Sequence, residues 1–160
     1  NIGVRVLGGF TATHAGVGSE PASPVTVDGV EFPLTAWKDG LLVGGEKNKG
    51  DVGPGRIEIS QLDASRKYNF TILAIRFNGS KDARISSYKL AGKTESEVKE
   101  VKTGIKDVAA FNAANFEEYI AKFENIEPDS EGKVIVEVKG IDTGLAAEGH
   151  INALCISPVK

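Results

Sequence analysis

Apolar and polar residues alternate along most of this chain with the two-residue period of β-strands, and the pattern is densest around Arg66–Phe77. There Tyr68, Phe70, Ile72 and Ala74 fall on one side of an extended chain and Leu73, Ile75 and Phe77 on the other. Apolar groups on both sides predict a central strand, and the polar runs 62–65 and 78–80 bound it as turns. Lys133–Lys139 is the clearest strand, with Val134, Val136 and Val138 facing one way. Further strands are expected at Ile2–Leu7, at Leu41–Val43, at Arg56–Ile59, at Ala83–Leu90, at Glu97–Lys102 as an edge or a one-sided strand, and at Ile151–Ile156, which Pro158 stops. Ile85 is out of phase with Tyr88 and Leu90, which calls for a bulge or register change. Val25–Phe32 reads as a short hairpin turning at Asp28-Gly29.

Three stretches read as turns or loops: residues 8–24, the Trp37–Gly40 turn, and the glycine-rich stretch 44–55. Residues 118–126 are spaced ambiguously. Phe116, Ile120 and Phe123 suit a helix, whereas Tyr119, Ala121 and Phe123 alternate as a strand. The strand is preferred because the turn Pro128–Gly132 and another strand follow at once, and a short helix over residues 106–119 stays open. Eight or more short strands with glycine-rich turns predict an all-β fold, an antiparallel two-sheet β-sandwich with at most one or two short helices. No linker or repeat divides residues 1–160, so a single domain is expected, a module of a longer or processed protein.

Composition narrows the functional classes. Nineteen glycines in 160 residues exceed the usual share and supply the turns. A net charge of −3 gives no electrostatic reason to expect nucleic acid, and no apolar run is long enough for membrane insertion as a helix. Cys155 is a lone cysteine in an apolar run, which reads as a buried, inert thiol. The sequence has no methionine, even at position 1, consistent with removal of a secretory leader.

Little here suggests catalysis. The two histidines, His14 and His150, sit in no nucleophile or metal-binding motif, and acids alternate with lysines as on a solvated sheet face. A small hydrolase lacks a nucleophile and base on this reading, and no cofactor is expected. Calcium held by loop acids such as Asp28, Asp39, Asp51 or Asp107 is not predicted, because they lack the spacing of a calcium loop. The tripeptides 69–71 and 78–80 match the N-glycosylation pattern and are read as incidental. Trp37 is the only tryptophan; it serves either as a stacking platform for a sugar ring or as a plug for the end of the sandwich. Arg76 and Arg84 either clasp a ligand or pair with nearby acids.

From Gly55 to Ile156 the pieces follow a recognisable order. Ile57–Asp63 leads into the Tyr-x-Phe strand at Tyr68–Leu73, followed by Arg76, Arg84–Tyr88, Gly92 and Asn112 or Asn115. A Pro-Asp-x-x-Gly turn at Pro128–Gly132 and a closing Ile-Asn-Ala-Leu strand at 151–154 complete it. This pattern resembles the non-catalytic galactose-binding-like (jelly-roll) β-sandwich modules that accompany bacterial esterases and other glycan-degrading proteins. It departs from them at Val6–Phe10, where an Asp-Phe-Gly opening is common, and at His150, where an aromatic often stands. The resemblance implies a non-catalytic carbohydrate-binding module, secreted, periplasmic or on the cell surface. Its ligand would be a glycan or polysaccharide, and its partner an attached catalytic domain or neighbouring subunit. The expected ligand-binding residues are Trp37, Arg76, Arg84, Tyr88 and His150. The alternative is a structural or protein-interaction domain of an extracellular assembly, without a small-molecule ligand.

Overall fold

The computed structural model describes residues 1–15, 25–27, 29–37, 39–44, 51–77, 84–105, 116–143 and 147–160. They form an all-β sandwich. One layer is a five-stranded antiparallel sheet in the order β1 (Gly3–Gly8), β6 (Val52–Ser60), β13 (Val134–Ile141), β9 (Ile85–Ala91), β10 (Lys99–Lys102). The facing layer is made from two antiparallel three-stranded sheets. The first has the order β12 (Ile120–Ile126), β7 (Tyr68–Leu73), β15 (Ala153–Pro158), and the second β14 (Glu148–Ile151), β5 (Asp39–Gly44), β2 (Ala12–Ala15). A hairpin of β3 (Val25–Val27) and β4 (Val30–Phe32), and a parallel pair of β8 (Arg76–Phe77) with β11 (Gly104–Ile105), complete the described strands.

The alternation that predicted the strands also builds the core. Val134, Val136 and Val138 are fully buried from one layer, and Phe70 and Ile72 meet them from the other, with Ile59, Tyr88, Leu90 and Phe123 around them. Each such side chain removed from water contributes about 1.5–3 kcal/mol. As expected, β7 is a central strand, β10 an edge, and residues 120–126 a strand preceded by a 3-10 turn at Phe116–Tyr119.

Several expectations are corrected. No bulge interrupts β9, which keeps register with β13 from Ile85 to Ala91. Ser86, fully buried, takes the core-facing place beside Tyr88 and Leu90, and Ile85 faces the other way. Register shifts fall instead between Val6 and Gly8, Val138 and Gly140, and Phe123 and Ile126. The stretches read as loops hold strand at Ala12–Ala15 and from Val52. The Trp37 turn is a 3-10 helix, Leu34–Trp37, set by Pro33, whose carbonyl accepts from the Ala36 N–H at 2.9 Å. The turn expected at 78–80 and the helix alternative over 106–115 lie outside the described residues.

Two long strands are broken at one place. The Asn152 N–H donates to the Leu73 carbonyl at 2.9 Å, and its side-chain oxygen accepts from the Ile75 N–H at 2.8 Å. The Ala74 N–H turns to the Tyr119 carbonyl at 3.1 Å. The organising run therefore leaves its sheet after Leu73 and resumes as β8, while the closing run divides into β14 and β15, members of different sheets.

Candidate binding site and a buried charge cluster

Of the five residues expected to bind ligand, four come together in space. β14 carries Glu148 and His150 on one face and Gly149 and Ile151 on the other. Gly149 lies against the backbone of β13, where a Cβ would stand 2.7 Å from the Lys139 carbonyl carbon, and Gly140 presses equally close to Glu148. Two glycines thus bring the layers nearer than side chains permit. β9 then holds β14 by its backbone. The Ser86 hydroxyl accepts from the His150 N–H at 2.9 Å, and the Tyr88 hydroxyl donates to the His150 carbonyl.

Glu148 is the hub. Arg76 Nη1 donates to Glu148 Oε2, and Arg84 Nε lies 3.1 Å and His150 Nε2 3.3 Å from the same oxygen. Glu148, Arg84 and His150 are at most 2% exposed, and the Arg76 side chain 14%, so the cluster is closed to all but a small opening at Arg76. Thr103, fully buried, sets the two arginines side by side. Its N–H donates to the Arg84 carbonyl at 2.9 Å, and its own carbonyl accepts from the Arg76 N–H at 2.7 Å.

Burial pushes the Glu148 carboxyl up, but the His150 hydrogen bond and the charges of Arg76 and Arg84 outweigh it and leave the group below the usual carboxylate range. Burial likewise drives the Tyr88 hydroxyl well above its ordinary range, with the Ser86 hydrogen bond opposing in part. A carboxylate held ionised against two guanidiniums is suited to fastening strands; it has no proton to give at neutral pH.

Glu148 and Thr103 were missed by the sequence reading, the first because an acid beside a glycine resembles any exposed turn. The one available signal was the two-residue spacing of Glu148 and His150 in a strand whose four positions are all buried. Trp37 ends the 3-10 helix, and its side chain, like that of His14, lies outside what the structure describes. Of the acids considered for calcium, Asp28 and Asp107 lie outside the described residues, while Asp51 accepts from the Asp142 N–H at 2.9 Å. Among the described residues no three metal-ligating side chains are grouped to hold an ion, and no helix is long and apolar enough to cross a membrane.

Open concave surfaces lie elsewhere. At the edge where β10 meets β12, a cleft of about 680 Å³ is lined by Thr94, Ser96, Glu97, Lys99, Lys122, Phe123, Glu124, Asn125 and Ile126. Lys99 sits over the Phe123 ring, 5.3 Å from its centroid. The cleft is shaped by the β12 register shift, where Asn125 adopts φ 58° and donates its N–H to the Asn69 side chain at 3.0 Å. At the opposite edge, between β1 and β15, an apolar groove of about 620 Å³ opens. A smaller pocket of about 310 Å³ lies among Lys89, Glu100, Glu137 and Lys139 on the five-stranded sheet.

No protein-family model matches the sequence, and no curated protein is significantly similar to it. Among solved structures the chain is similar to one described as TmCBM61 in complex with β-1,4-galactotriose. The match has 16% identity, covers 76% of this chain and 72% of that one, and has a TM-score of 0.43. A likeness this distant says nothing of what the present chain binds.

Proposed function

We propose that this chain is a non-catalytic carbohydrate-binding module of a secreted or surface glycan-degrading system. The observation that supports it best is the chemistry of the β10/β12 cleft. A hydroxyl on Thr94, the carboxylates of Glu97 and Glu124, the amide of Asn125 and the ammonium of Lys99 stand around one opening. Donors and acceptors gathered in this way match the vicinal hydroxyls of a sugar, and the half-buried Ile126 supplies apolar surface for its C–H groups. The volume is within the range of small-ligand sites.

The closed state of Arg76, Arg84, Tyr88 and His150 gives those four a fastening role, with Arg76 the one nearest solvent. Secretion and the glycan-degrading setting rest on the sequence resemblance alone. Affinity electrophoresis in gels cast with plant, host or microbial polysaccharides tests the reading. Retention is expected with at least one polysaccharide, weakened about tenfold or more in a Glu97→Ala, Lys99→Ala double variant. Retention by none, or turnover of ester or glycoside substrates by the purified chain, would overturn it. Loss in Trp37→Ala but not in the double variant would place the sugar at Trp37. The apolar groove on the other edge favours a second reading, a protein-interaction domain.

A further inference from the structure

The two layers differ in width at the β1 side. Val4 and Val6 of β1 pair with Ile59 and Ile57 of β6, and cross-strand partners share a face of the sheet. Ile59 and Ile57 are 0% and 5% exposed, yet Val4 is 67% and Val6 50% exposed. The same inward row is covered over β6 and bare over β1.

The cause lies in the facing layer. β5 pairs with β14 and ends at Asp39, just where β14 gives way to β15, so the place beside β15 in line with β5 holds no described strand. Val4, Ile57, Leu41, Leu154 and Ile156 line this lane, with Asp39 at one end. The outer edges of both β15 and β1 are unpaired among the described residues.

We propose that this lane accepts an extended strand from a partner polypeptide, independently of the glycan reading. The strand adds to the free edge of β15 through main-chain hydrogen bonds and lays its inward side chains over Val4 and Val6. β1 and β15 are six residues each, which sets its length. Its inward positions are apolar, its outward positions polar, and a lysine or arginine stands at the Asp39 end. Among the described residues Asp39 makes no ion pair and is the one charged side chain lining the groove. That charge argues against symmetric pairing of two copies of this chain through β15. β15 reads Ala-Leu-Cys-Ile-Ser-Pro, with no cation, so two β15 edges paired symmetrically would leave both Asp39 carboxylates unmet.

The test uses a fluorescein-labelled peptide, Lys-Val-Thr-Val-Thr-Val-Thr, read by anisotropy and by amide shifts of β15. Saturable binding is expected, with shifts at Leu154 and Ile156. Val4→Lys, at a site exposed enough to leave the melting temperature unchanged, should weaken it about tenfold or more. A peptide with alternate backbone amides N-methylated should not bind. Replacing the peptide lysine by glutamate should weaken binding to the native chain but not to Asp39→Asn, while Lys99→Ala should change nothing. No saturable binding, or binding indifferent to Val4→Lys, overturns the proposal. A dimer in sedimentation that Val4→Lys dissociates also overturns it, since a second copy then fills the lane.

Discussion

Glu148→Gln keeps the shape of the side chain and removes only its charge, so it isolates the work of the buried cluster. In the native chain one carboxylate oxygen faces Arg76, Arg84 and His150 at a site 1% exposed. Breaking a buried ion pair by neutralising one partner costs about 3–5 kcal/mol, because the remaining charge stays out of water. For a chain of this size each kcal/mol moves the melting temperature about 2–4 °C, so a fall of roughly 6–20 °C is expected. The comparison is Glu58→Gln. Its partner Arg5 is 67% exposed at 3.1 Å, and a loss below about 1 kcal/mol is expected.

The pH dependence gives a second reading of the same residue. The Glu148 carboxyl lies lower in the folded chain than its ordinary value of 4.5, so the folded state binds its proton more weakly than the unfolded state. Its contribution is therefore present above about pH 4.5 and lost as pH falls through the lower folded value. Calorimetry from pH 7 downward should show the gap between native and variant chains narrowing in acid. A loss below about 1 kcal/mol at neutral pH, or a gap that stays constant into acid, would refute this account of the cluster.

Two further substitutions test the elements that place the cluster. Tyr88→Phe removes a donor to the His150 carbonyl and should cost about 1–2 kcal/mol by urea unfolding. Because the folded Tyr88 hydroxyl titrates above its ordinary value of 10.0, its contribution is present below pH 10 and lost as pH rises further, and the variant should lose less stability there. Asn152→Ala strips the acceptor from the Ile75 N–H, a residue 1% exposed; it should cost about 1–3 kcal/mol, and hydrogen exchange should show the Ile75 amide opening earlier than its neighbours.

Strand positions were legible where one face is apolar over several residues, as in Val134–Val138 and Tyr68–Ile72, because period-two alternation is a local property of the chain. The same rule misled at β9. Ile85 was expected to bend the strand back into phase, whereas Ser86 faces inward because it meets the backbone of β14, 64 residues away. Asn152 stood in a recognisable closing motif, but its division of two strands became visible only once Leu73, Ile75 and Asp39 lay beside it.

By itself, the sequence determined the all-β class, the central place of β7 and the poverty of catalytic motifs. These follow from side-chain alternation and residue type, which need no knowledge of distant neighbours. Tertiary structure alone decided that Arg76 and Arg84 face Glu148, that a polar cleft forms beside Asn125, and that Val4 and Val6 stand bare on an inward face. Each of those depends on which strands pair across large gaps in sequence and on how wide each layer grows, quantities set by long-range packing.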